Sequence, residues 1–274
     1  MTGYGDAGAA LSENPLVDKV AFTGSTEVGR SILNAARGNL KKVSLELGGK
    51  SPNIICSDVY NMKEAIYGAA SAIFFNQGQC CCAGSRLYVE ENVYEEVLEG
   101  VIRKAEKIHL GNGMDPNTEM GPLVSKEQFD RVNGFMSAAS DEGAQIATGG
   151  SKSFDKGYFF KPTVITNTRP DMKVVCEEIF GPVLTVTPFK NMEDLVNQAN
   201  NTPYGLAAGI WTSDLKKAHQ LSAQIKAGTT WINCYNIFDA ALPFGGYKES
   251  GWGREMGKDA INLYTETKSV CLTL

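Results

Sequence analysis

The sequence predicts an α/β protein with a mostly parallel sheet covered by helices. From Gly49 to about Ser250, short β-branched and apolar runs alternate with longer segments of helical period, the pattern of helices layered on a sheet. The chain has 274 residues, 43% of them hydrophobic and 21% charged, enough to bury a sizeable core in one or two domains. No internal repeat or low-complexity linker interrupts the alternation.

Val17 to Gly24 reads as a strand, and Ser25-Thr26-Glu27-Val28-Gly29 opens a helix that runs to about Asn39. A strand feeding a Gly-Ser-Thr turn into a helix makes an anion site, because the first-turn amides point outward at the positive end of the dipole. The spacing from Gly24 to Gly29 is Gly-x-x-x-x-Gly, not the tighter dinucleotide fingerprint, so a merely capped helix start is equally compatible. Lys42 to Leu45 forms the next strand and runs into Glu46-Leu47-Gly48-Gly49. A carboxylate at a strand end beside two glycines is where an α/β sheet places chemistry; a surface ion pair is the bland alternative.

Ala65, Ile66, Ala69, Ala70, Ile73 and Phe74 recur at helical spacing, which predicts a helix ending near Asn76. The turn Gln77-Gly78-Gln79 then delivers Cys80, Cys81 and Cys82, and Arg86 to Val89 reads as a short strand. This setting holds a thiol on rigid flanks with one side open, as a nucleophile requires. Buried cysteines acting as small apolar residues are the alternative. Further helices are expected around Val93 to Ala105, Lys126 to Glu142, Met192 to Asn200 and Leu215 to Gln224. Strands are expected at Ala144 to Thr148, Phe160 to Ile165, Val183 to Phe189, Leu206 to Thr212 and Thr229 to Cys234.

A net charge of −5 argues against nucleic acid or an anionic membrane as main partner. No apolar run is long enough to span a bilayer, and the first residues lack a signal-peptide layout. Seven cysteines, three adjacent, form neither a disulfide framework nor the separated pairs of a zinc site. Reduced thiols in a cytoplasm are the simplest reading, and no metal is signalled. The two histidines, His109 and His219, lie in or near charged helical stretches, so a base must be sought among the carboxylates.

The stretch NQGQCCC resembles the Gly-Gln-x-Cys signature of the NAD(P)-dependent aldehyde dehydrogenases, with Gly78, Gln79 and Cys81 at its defined positions. The resemblance covers essentially the whole chain through several motifs. It implies that Cys81 is the nucleophile, flanked by Cys80 and Cys82, and that Glu46 is the general base. Gly24 and Ser25 would meet the dinucleotide pyrophosphate, and Leu47 and Gly48 would lie along the nicotinamide. Gly3 to Gly8 resembles the family's preceding Gly-rich turn. Glu177-Glu178-Ile179-Phe180-Gly181-Pro182 resembles the cofactor clamp, in which Glu178 bonds the nicotinamide ribose and Phe180 packs at the nicotinamide. Phe238 and Phe244 resemble residues lining the aldehyde tunnel and favour an aliphatic or arylalkyl aldehyde. Glu266 would pair with Arg254 and Lys42 across a subunit interface.

The implied domains are residues 1–48, a Rossmann-type cofactor-domain remnant, 49–250, the catalytic domain, and 251–274, an arm for cofactor-domain contact and oligomerisation. NAD is the default cofactor, with NADP open, and a homodimer or homotetramer is implied. Family members are longer at the N-terminus, so the chain is expected to begin partway through the cofactor domain and to lack an asparagine oxyanion donor. The implied reaction is aldehyde oxidation through a Cys81 thiohemiacetal and acyl-thioester, with Glu46 activating the hydrolytic water. The alternatives are a catalytically impaired fragment and a cofactor-independent thiol esterase.

Overall fold

The computed structural model describes residues 2–274. Its strands form two sheets. The smaller is built from β1 (Lys19–Thr23), β2 (Lys42–Glu46) and β10 (Gly251–Trp252), with β2 in the middle. β1 runs parallel to β2 in the register Lys19↔Lys42 to Thr23↔Glu46, and β10 runs antiparallel, placing Gly251 opposite Glu46. β1, which carries Val20, is therefore an edge strand, whereas β2, which carries Val43, is paired on both sides. The C-terminal segment returns to cover β2.

The larger sheet has the order β5-β6-β7-β4-β3-β8-β9. Its strands are β3 (Pro52–Ile55), β4 (Arg86–Glu90), β5 (Gln145–Thr148), β6 (Thr163–Thr166), β7 (Val183–Phe189), β8 (Ala207–Trp211) and β9 (Thr229–Ile232). All neighbours are parallel except β5 and β6. Central strands of such a sheet are buried on both faces and read as continuous apolar runs. In β3 this alternation divides the core: Ile55 packs with one helical layer and Ile54 with the other.

α3 (Met62–Phe74) and α4 (Tyr94–Lys107) cover one face, burying Ala65, Ala69, Ile73, Val97 and Val101 against Leu87, Val89 and Val186. α7 (Met192–Asn200) and α8 (Leu215–Gln224) cover the other through Leu195, Ala199 and Leu221. α5 (Lys126–Asp141) and the short α6 (Lys173–Cys176) close the β6–β7 end around Val132, Phe135 and Met172. Side-chain caps start most of these helices: Asn61, Ser125, Asn191 and Asp214 each accept from a first-turn N–H.

Beside the small sheet, α2 (Thr26–Ala36) is capped by Ser25, whose Oγ accepts from Val28 N. The Gly-rich start expected as a turn is instead the helix α1 (Gly5–Glu13). Its end is held from outside: the buried Lys41 Nζ donates to Ser12 O and Asn14 O, each at 2.7 Å. α9 (Asp259–Asn262) precedes an exposed, irregular C-terminus. No helix among the described residues is long and apolar enough to cross a membrane.

Candidate active site

Glu46 ends β2 inside the protein, only 7% exposed, and neither carboxyl oxygen has a hydrogen-bond partner among the described residues. The surface ion pair is thus excluded for this side chain. Its Oε1 faces the α-carbon of Gly245, next to Phe244. Burial pushes its pKa up to about 8, with the nearby Glu255 adding to the rise and Arg254 opposing it. A carboxyl that is poised near neutrality and unpartnered has a free proton-accepting site.

Beyond Glu46 the chain is tied down on both sides. Leu47 N donates to Ser250 O at 3.0 Å, while the fully buried Ser250 Oγ donates to Gly48 O at 2.6 Å and accepts from Gly205 N at 3.0 Å. Gly48 lies against Glu178: a Cβ there would overlap Oε2. Glu178 Oε1 accepts from Gly49 N at 3.0 Å. Burial raises the Glu178 carboxyl, and the Gly49 amide and the Lys50 ammonium pull it back. Lys50 is itself fully enclosed, its Nζ without a hydrogen-bond partner among the described residues. Burial and then the neighbouring Arg86 lower it to about 7. Two residues beyond Glu178, Phe180 is 36% exposed and adopts φ +56°, a left-handed conformation that a bulky residue reaches only under external constraint.

The cysteine loop meets these elements at Gly49, which packs against Cys81 O. Cys80 and Cys81 are half-buried and Cys82 is buried; all seven cysteines are free thiols. Cys80 Sγ lies 3.4 Å from Cys82 Sγ, and Cys82 Sγ donates weakly to Asn236 Oδ1 at 3.5 Å. The neighbouring thiols shift one another: those of Cys81 and Cys82 lower the Cys80 thiol, and Cys80 in turn raises Cys81 and Cys82. The Cys81 backbone N–H makes no backbone hydrogen bond among the described residues, which leaves a donor for an oxyanion beside the Cys81 thiol.

Trp231 and Leu206 back the loop, with Cys81, Cys234, Tyr235 and Phe244 packed around them. Tyr235 Oη donates to Cys82 O at 2.8 Å. Phe238 stands edge-on to both Trp231 (5.5 Å) and Phe244 (5.3 Å). Cys81, Glu46, Gly48, Glu178 and Phe244 thus belong to one connected neighbourhood. Gly24 and Ser25 lie at the start of α2, linked to it through Gly24 N, which donates to Glu46 O at 3.0 Å. There an apolar cleft of about 570 Å³ opens between α1 and α2, lined by Tyr4, Ala9, Phe22, Val28 and Ile32 among others.

A protein-family model for the aldehyde dehydrogenase family matches residues 1–270. The chain belongs to the aldehyde dehydrogenase family. It is 51% identical over 272 residues to the mitochondrial aldehyde dehydrogenase of Homo sapiens, covering 98% of this chain and 52% of that protein. It is likewise 51% identical to an aldehyde dehydrogenase of Davidiella tassiana, covering 100% and 55%. Among solved structures, the NAD+ complex of a Bacillus cereus aldehyde dehydrogenase matches with a TM-score of 0.96 at 52% identity, covering 98% of this chain and 55% of that one. The chain therefore spans about half the length of the aldehyde dehydrogenases it matches.

Within this aldehyde dehydrogenase fold, Glu266 pairs with Lys42 at 2.5 Å, one of the two partners expected for it. The other expected partner, Arg254, turns inward and donates to Gly246 O and Gly253 O. Three contributors also escape a reading by motif. Ser250 and Tyr235 act through single hydroxyls joined to residues 45 and more positions away, and Glu255 reaches Glu46 only because β10 folds back onto β2.

Proposed function

We propose that the protein is an NAD(P)-dependent aldehyde dehydrogenase, with Cys81 as nucleophile and Glu46 as general base. The observation that carries this reading is the juxtaposition of an unpartnered, buried Glu46 carboxyl with the cysteine loop through Gly49, Phe244 and Gly245.

The residues present fit a dinucleotide. The apolar cleft between α1 and α2 suits a flat adenosine, and the capped N-terminus of α2 at Gly24 and Ser25 suits pyrophosphate. Glu178 keeps Oε2 free beside Gly48, and a carboxylate suits vicinal hydroxyls because it accepts more than one hydrogen bond. Leu47, Gly48 and Phe180 would flank the nicotinamide. When bound, NAD supplies the hydride acceptor; NADP is the variant to compare.

The chain's own residues do the rest. Cys81 Sγ attacks the aldehyde carbon, and its N–H donates to the developing oxyanion. Loss of hydride from that carbon leaves an acyl-thioester on Cys81. Glu46 takes a proton from water, the hydroxide releases the acid, and Cys81 leaves as thiolate. Phe238 and Phe244 shape the aldehyde side for aliphatic or arylalkyl groups.

The aldehyde dehydrogenase homologues, the small and large sheets, and the return of β10 to β2 support the division into cofactor, catalytic and arm segments at 1–48, 49–250 and 251–274. The exposed Val270, Leu272 and Leu274 of the arm support a homodimer or homotetramer. Seven free thiols support a reducing compartment such as the cytoplasm. The test is turnover by the purified protein with aliphatic and arylalkyl aldehydes and NAD or NADP. Stoichiometric acid and reduced cofactor are expected. Ester hydrolysis through Cys81 with no cofactor reduction would instead identify a thiol esterase.

A further inference from the structure

The turn that delivers the cysteines is not held by its own helix. After α3 ends at Phe74, Asn76, Gln77 and Gly78 adopt φ of +49°, +58° and +68°. Three successive left-handed residues, two of them not glycine, persist only where neighbours impose them. Two neighbours do so here. On one side, Gly78 is pressed onto Gly181 O so closely that a Cβ would overlap it. Gly181 belongs to the segment whose carbonyls at Ile179 and Phe180 accept from Gln128 Nε2 at 3.0 and 2.8 Å.

On the other side stands the loop of residues 120–124. Gln79 Oε1 accepts from Val124 N at 3.0 Å. The Gln77 amide, oriented by its hydrogen bonds, accepts from Gly121 N at 3.1 Å and donates to Asn76 O at 2.8 Å. Asn76 Nδ2 closes the turn on Gln79 O at 2.9 Å. Gln79 is thus the last tie before the triplet, one residue from Cys80 and two from Cys81. Its accepting oxygen, together with that of Gln77, binds the turn to the segment of residues 120–124.

We propose that Gln79 is a positioning residue, whose Oε1 on Val124 N sets which of the three thiols is presented to substrate. The inference rests on Cys81 being the nucleophile. Three free thiols share one small loop, so a shift of about an ångström in the loop changes which sulfur is aimed outward, and such displacements cost up to about a hundredfold in rate. The role requires an acceptor at position 79 and not a donor. Glutamate therefore preserves it and methionine, similar in length, removes it.

The experiment compares wild type, Gln79→Met and Gln79→Glu without cofactor. Iodoacetamide alkylation is located by peptide mass spectrometry at high pH, where thiol ionisation no longer limits the rate, and amide exchange at Val124 is followed in parallel. Wild type should alkylate chiefly at Cys81. In Gln79→Met the preference for Cys81 over Cys80 and Cys82 should fall by roughly tenfold or more, with faster Val124 exchange. Gln79→Glu should keep both the preference and the protection. Retained selectivity in Gln79→Met, or lost selectivity in a folded Gln79→Glu, would overturn the inference while leaving Cys81 as nucleophile. Absence of any Cys81 preference in wild type would overturn both. Should Gln79→Met not fold, the Gln79→Glu arm alone decides.

Discussion

Ser250 Oγ donates to Gly48 O at 2.6 Å across 202 positions of sequence, from a side chain that is wholly buried. The same oxygen accepts from Gly205 N, so one hydroxyl joins the strand end that carries Glu46 to the loop before β8. Ser250→Ala would strand a buried carbonyl and a buried N–H together. A loss of about 1–3 kcal/mol is expected for an unsatisfied buried group of this kind. Denaturant unfolding of wild type and variant measures it. An unchanged midpoint would mean that the two orphaned groups find water or new partners.

Glu46 gives a pH dependence of definite sign. Its folded pKa of about 8 lies above the ordinary value of 4.5, through burial first and the nearby Glu255 second. Between those values the folded protein holds a proton that the unfolded chain releases. This group therefore lowers stability as pH rises through that window, and the penalty is complete above the folded pKa. Glu46→Gln removes the titration. The variant should gain on wild type as pH rises from 4.5 to about 8, with a constant difference outside that range. Denaturation midpoints below, within and above the window decide it. In catalysis, the deacylation rate of wild type should climb through about 8 as Glu46 loses its proton, and Glu46→Gln should lose that limb together with roughly a hundredfold or more in turnover.

The cysteine triplet separates resting charge from reactivity. Hydrogen bonds favour the thiolate on Cys80, yet the outward-facing chemistry is assigned to Cys81. Cys81→Ala should abolish dehydrogenase and esterase turnover alike. Cys80→Ser should leave turnover measurable but shift the pH dependence of Cys81 alkylation, because the coupling that raises Cys81 comes mainly from Cys80. An active Cys81→Ala beside an inactive Cys80→Ser would reverse the assignment.

Much of this was legible because local and global preferences agree. α7 and α8 begin at Asn and Asp caps and occupy the residues their periodicity indicates, Met192–Asn200 and Leu215–Gln224. β3 was not legible: Pro-Asn-Ile-Ile is only four residues, buried on both faces, and lacks the alternation that marks a strand. β6 begins at Thr163 and not Phe160 because Pro162 precedes it and cannot donate to a ladder. Glu46 and Glu178 were legible as motif positions, but their burial depends on β10 and on Gly48 and Gly49 packing against them. α1 was the clearest failure of local reading. Its glycines at 5 and 8 argue for a turn, and the tie that holds its end comes from Lys41, 27 and 29 positions away.

That tie is testable on two independent measures. Lys41 is 7% exposed and its ammonium makes both of its hydrogen bonds to main-chain oxygens at the end of α1, where an ammonium also meets the negative end of the helix dipole. Lys41→Met keeps most of the apolar stem and removes the charge and its donors. The variant should lose about 1.5–3 kcal/mol, the range for hydrogen bonds to a charged group. The local effect should exceed the global one: amides of α1 should exchange faster while those of β3 and β4 keep their protection relative to global unfolding. α1 also forms one wall of the cleft of about 570 Å³ that faces α2. If that cleft receives the adenosine, Lys41→Met should weaken NAD binding while ester hydrolysis, which needs Cys81 and Glu46 alone, changes little. Equal losses in cofactor binding and esterase activity would show that Lys41 supports the whole fold and not the cleft.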